Sequence, residues 1–122
     1  SARELSEALS ALTAYERSFI RQLASYDAVL TPALALTPRP IGWYDQEDGE
    51  HNFAQQVQYT PFTSMLNVTG LPALVVPVSQ TDGGLPMGVQ LIGRPGGERT
   101  LLSLAAQLER RLHWERRRPP VW

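Results

Sequence analysis

Cysteine and lysine are both absent from this 122-residue chain, and histidine occurs only as His51 and His113. Without cysteine there is no disulfide, no thiolate metal site and no thiol nucleophile. The basic residues are all arginine. A guanidinium does not release its proton in a protein, so no side chain here can serve as a lysine-type general base. With two histidines, few groups titrate near neutral pH. No apolar run approaches the roughly 20 residues that span a bilayer. The opening Ser1, Ala2, Arg3, Glu4 and Leu5 lack the apolar core of a signal peptide. An excess of one charge is missing too. A net charge of −1 draws the chain to neither nucleic acid nor an anionic membrane. These absences suit a cytoplasmic setting.

The apolar residues make up 43% of the chain and the charged ones 19%, a balance that specifies a folded domain rather than a disordered segment. The length fits one small domain or fragment with a modest core. From about Ala2 to Ser25, Leu5, Ala8, Leu9, Leu12, Phe19, Ile20 and Leu23 recur at three- and four-residue spacings, which predicts an amphipathic helix. Glu7, Glu16, Arg17, Arg21 and Gln22 are assigned to its polar face. Ser1 and Glu4 have the spacing of a capping box.

Tyr26 to Thr31 reads as a short buried strand ended by Pro32. A loop follows through Pro38, Pro40 and Gly42, with Asp45 to Glu50 as its solvated tip. Phe53 to Tyr59 fits a helix or an extended segment equally well. Pro61 to Val68 predicts a short helix that closes at Gly70. Ala73 to Val76 and Met87 to Ile92 read as buried strands, paired as a hairpin across the Gln80–Pro86 loop. A second helix runs from about Glu98 to Trp114, with Glu98 at its positive end and Arg110 and Arg111 at its negative end. Pro119 and Pro120 stop it. The expectation is an α/β fold, with a small mixed sheet of about three strands covered by helices. The continuous apolar strands look like central strands of a larger sheet.

Motifs that carry chemistry are sparse. No serine lies in a G-x-S-x-G elbow. His51 or His113 with a carboxylate and a serine would make a hydrolytic triad, but surface or partly packed histidines are the preferred reading. The oxygen-rich run from Asp45 to His51 fails the EF-hand template, because Gly49 falls on a ligand position and Glu50 on the turn glycine. No metal ligands are assigned. Gly93 to Gly97 lies between strand and helix but matches no phosphate-binding pattern, and Glu98 would repel an anion there. Asn67, Val68 and Thr69 spell a glycosylation triplet that reads as a helix-to-strand turn. Arg116 to Arg118 reads as a solvated helix end.

Two stretches are more specific. Asn67, Gly70 and Pro72 precede an apolar strand that ends in Pro77. Gly84-Leu85-Pro86-Met87-Gly88-Val89-Gln90 then opens a second one. Gln90 is a polar side chain in an apolar strand, so it is expected to hydrogen-bond a neighbouring backbone group. Together with Tyr26, Asp27 and Pro32, and in this order, these residues closely resemble the C-terminal part of amidase signature enzymes.

The resemblance implies a parent enzyme that hydrolyses a small-molecule amide with a Ser–cis-Ser–Lys triad, without a cofactor. In that family the triad and its Gly/Ser-rich loop lie N-terminal to the region represented here. This chain has neither, so no catalytic residue carries over, and the chain alone is expected to be inactive. The resemblance also implies that Phe62 and Thr63, just before the Asn67–Pro72 corner, line the substrate pocket. Neither a nucleic acid nor a membrane partner is expected. Strands that are central in a larger sheet would become edges here, so self-association of the isolated chain is expected. The alternative is a stand-alone, non-catalytic binding or assembly module.

Overall fold

The computed structural model describes residues 1–118; Pro119 and Pro120 lie outside the described residues. The elements in order are helix α1 (Ala2–Leu23), strand β1 (Ala28–Pro32), helices α2 (Gly49–Tyr59) and α3 (Ser64–Thr69), strands β2 (Ala73–Gln80) and β3 (Pro86–Gly93), and helix α4 (Glu98–Leu112). A single 3-10 turn, Trp114–Arg116, follows α4. No helix among the described residues is long and apolar enough to cross a membrane.

The sheet order is β1-β3-β2. The α/β class and a three-stranded sheet under helices stand, but the sheet is antiparallel throughout rather than mixed: β2 and β3 are joined as a hairpin, and β1 runs opposite to β3 on its other side. Ala28 faces Gly93 and Pro32 faces Val89 across β1 and β3. Pro32 therefore ends the strand from within it; at a sheet edge its missing N–H costs no ladder bond. The β2–β3 hairpin slips register between Val76 and Ser79, around Pro77, so β2 runs on to Gln80 past the predicted Val76. Gly88 allows the two strands to close. A Cβ there would sit 2.7 Å from Val75 Cγ1.

Side chains alternate across β3, and the alternation separates two layers. Ile92 joins Leu66 and Leu71 in the buried cluster against which Phe19, Ile20, Leu23, Val29 and Met65 pack. That face carries α1 and α3. On the other face α4 covers β2 and β3. Leu101, 2% exposed, lies against Gly93 there. Burial of one such leucine is worth about 1.5–3 kcal/mol.

The local signals explain most element ends. Ser1 and Glu4 form the capping box of α1. Gly70 closes α3 at φ +63°, a conformation that glycine adopts without strain. The helix α4 ends at Leu112, two residues before Trp114, because His113 turns left-handed at φ 50°.

The Asp45–Glu50 run is exposed from Gln46 onward, as expected of a solvated tip, but its last two residues already open α2. Asp48 caps α2, its side chain accepting from the Glu50 and His51 amides at 2.9 and 3.0 Å. That cap decides the undetermined Phe53–Tyr59 stretch in favour of helix. Glu16 does not belong to the polar face of α1. It lies four residues after Leu12 and three and four before Phe19 and Ile20, which places it on the apolar stripe, and it is half-buried. The stripe itself is only partly covered: Leu5, Leu9, Leu12 and Tyr15 are 62%, 55%, 47% and 45% exposed.

Candidate functional site

The corner between α2 and α3 carries Phe62 and Thr63. Thr60 ends α2, its amide and hydroxyl both donating to the Gln56 carbonyl at 2.9 Å. Pro61 then prevents the helix from continuing undisturbed. Thr63 starts α3 without a side-chain cap bond, and its hydroxyl donates to the Thr60 carbonyl at 3.3 Å. Phe62 and Thr63 are both half-buried.

Gln90 fixes this corner to the sheet. Its side-chain amide donates to the Phe62 carbonyl at 2.8 Å and to Thr31 Oγ1 at 3.1 Å. The residue is 3% exposed. A buried amide without partners would cost about 1–3 kcal/mol; here one group joins β3, β1 and the corner. The expected backbone bond of Gln90 is thus present, and its acceptor belongs to the residue before Thr63.

A second assembly lies beside the corner and was not anticipated from the sequence. The Ala35 amide donates to the Tyr59 carbonyl at 3.1 Å. The side chain of Gln55 holds the loop at two points, donating to the Trp43 carbonyl at 3.0 Å and accepting from the Asp45 amide at 2.8 Å. Trp43, Tyr44 and Tyr59 meet with ring centroids 5.0 to 6.3 Å apart, the edge-and-tilt geometry that aromatic quadrupoles favour. An open cleft of about 260 Å3 lies among Arg39, Trp43, Tyr44, Gln46 and Tyr59. The available signal was the polar Gln55 four residues before Tyr59, in register to bridge helix and loop.

The histidines form pairs rather than a triad. His51 Nδ1 lies 2.9 Å from Asp45 Oδ2. Asp45 is held down to about pKa 2, first by the Asp48 amide, then by the His51 ring and the Glu47 amide. No hydroxyl hydrogen-bonds the His51 ring among the described residues. His113 Nδ1 lies 3.4 Å from Glu115, and both are exposed. No group of three or more potential metal ligands occurs among the described residues. Phe62 offers a ring, Thr63 a hydroxyl and the corner backbone carbonyls.

Comparison with known proteins places this architecture. The amidase family profile matches residues 1–102. The chain is 46% identical over 95 residues to AmiB2 of Mycobacterium tuberculosis, covering 78% of this chain and 21% of that protein. It is 39% identical over 96 residues to a fatty acid amide hydrolase of Oryza sativa, covering 79% of this chain and 16% of that one. Among solved structures, 6-aminohexanoate cyclic dimer hydrolase superposes with a TM-score of 0.87 at 30% identity, over 99% of this chain and 27% of that chain. A glutamyl-tRNA(Gln) amidotransferase component from Thermotoga maritima superposes with a TM-score of 0.70 at 29% identity, over 87% of this chain and 22% of that one. The chain thus spans about a fifth of the length of the curated relatives it matches. With the motif order, the fold and the profile in agreement, the chain belongs to the amidase family.

Proposed function

We propose that this chain is the C-terminal portion of an enzyme that hydrolyses carbon–nitrogen bonds in small amides, and that it contributes a substrate wall rather than catalytic groups. The observation that carries the reading is the Gln90 clamp on the Phe62 carbonyl: a buried amide is committed to holding this one corner in place. The chain spans only a short share of each relative, which leaves room outside it for the Ser, cis-Ser and Lys triad that the family resemblance implies. The chain has no lysine to supply.

In that reaction a neutral lysine accepts a proton through the bridging serine. The nucleophilic serine attacks the amide carbonyl, the amine leaves, and water releases the acid from the acyl-enzyme. Phe62 and Thr63 act on the variable part of the substrate. The cytoplasmic setting belongs to the same proposal, which the cysteine-free composition suits.

Two measurements test it. The purified chain is expected to release no ammonia or amine from simple amides; turnover that survives repeated purification contradicts the reading. In the intact parent polypeptide, Phe62→Ala is expected to alter the ranking of amide substrates by kcat/KM, and an unchanged ranking contradicts the wall assignment.

A further inference from the structure

We infer that the outer half of α1 is a docking seam for the part of the amidase polypeptide that this chain does not contain, and that the partner surface is apolar with a cation or hydrogen-bond donor placed opposite Glu16. This rests on the proposed function, and it names the surface through which the two parts join. Leu5, Leu9, Leu12 and Tyr15 run along one side of the helix and are each about half exposed or more. A folded domain does not ordinarily leave so continuous an apolar stripe in water.

The same stripe continues into Phe19, Ile20 and Leu23, which are packed on the Leu66–Leu71–Ile92 cluster. One face of one helix therefore enters the core at its C-terminal end and lies bare at the other. The bare end is not flat. Leu12 and Tyr15 form one side of an open cleft of about 250 Å3, with Ser64, Met65 and Val68 opposite. The helix α3 thus extends the seam sideways and provides a recess for an inserted side chain.

Glu16 gives the seam its chemistry. It sits within the stripe, half-buried, and has no hydrogen-bond or ion-pair partner among the described residues. A carboxylate on an apolar contact face requires a compensating donor once water leaves. The occupant is indicated by what lies beyond the match. In 6-aminohexanoate cyclic dimer hydrolase this fold accounts for 27% of the chain, so most of that polypeptide is available to cover the remaining faces.

The test compares Leu9→Asp in two settings. The first is the chain itself. The second is 6-aminohexanoate cyclic dimer hydrolase with its superposed segment replaced by this chain. In the isolated chain the substitution is expected to leave the unfolding midpoint nearly unmoved. In the chimera it is expected to lower the midpoint by about 4 °C or more, and the wild-type amides of residues 8–16 are expected to exchange at least about tenfold more slowly than in the isolated chain. Equal midpoint shifts and equal exchange in the two settings overturn the inference. If the chimera does not fold, the hydrolase residue that superposes on Leu9 is substituted in the hydrolase itself; a neutral effect there overturns it too. Cleavage of the cyclic dimer by the chimera is read separately. A protected α1 without cleavage supports the seam and counts against the proposed function, whereas cleavage with a bare α1 does the reverse.

Discussion

At the residue scale, three side chains fix more than their own positions. Gln90 donates to both Phe62 and Thr31 from a site that is 3% exposed. Gln90→Leu is expected to cost about 1–3 kcal/mol, because it leaves the Phe62 carbonyl without its donor. Urea unfolding measures the loss, and hydrogen exchange at the corner locates it. Gly88→Ala places a Cβ on Val75 Cγ1 and is expected to destabilise by about 1–3 kcal/mol. Adding Val75→Ala is expected to recover part of that loss; strict additivity of the two would show that the contact is not the cause.

Asp45 is a pH probe. Its folded pKa, about 2, is below the ordinary 3.8, so its contribution is fully present above the ordinary value and is lost as pH falls through about 2. The Glu47 and Asp48 amide resonances, whose protons Asp45 accepts, are expected to titrate in that window, and Asp45→Asn to abolish the change. Gln90 was legible as a polar residue in an apolar strand. Its partner was not, because the Phe62 carbonyl lies 28 positions away and only the tertiary fold brings it close.

At the scale of elements, spacing and punctuation located the long helices and the hairpin. The capping box set the start of α1, Gly70 closed α3, a β-branched run marked β2, and an apolar run after the Gly-Asp-Pro loop marked β3. One error arose where a charged residue, Glu16, was assigned to solvent by its type. Asp48 is polar because it caps a helix. Asp48→Ala is expected to cost about 1 kcal/mol, and circular dichroism with hydrogen exchange should show the loss confined to α2. Glu16 is charged but sits on the apolar stripe of α1, where helical spacing alone would have placed it. The length of β2 was not legible because Pro77 resembles a terminator. The register slip at Val76–Ser79 lets the chain absorb it.

At the scale of the whole molecule, a sheet with helices on both faces has two open edges among the described residues. The order β1-β3-β2 leaves β1 and β2 each paired on one side, and Leu30 and Val75 on them are 60% and 55% exposed. Open edges pair with other chains. The isolated chain is therefore expected to self-associate, with the sedimentation coefficient rising over a wide concentration range; a single monomeric species throughout contradicts this. The family was readable from motif order because several of its residues have structural work: Gly70 closes α3, Gly88 admits Val75 of the neighbouring strand, and Gln90 ties β3 to β1 and to the Phe62 corner. The candidate wall was readable only through that resemblance, since nothing in the types of Phe62 and Thr63 distinguishes a pocket from a core. The aromatic group of Trp43, Tyr44 and Tyr59 was missed because its members come from a loop and a helix end.

The central claim is that catalysis belongs to polypeptide beyond this chain. Sequencing the coding DNA immediately upstream of Ser1 tests it most directly. The predicted result is an in-frame extension that carries a lysine followed by a Gly/Ser-rich stretch. A stop codon followed by a start signal at that boundary would contradict it and would make the short chain the product to be explained.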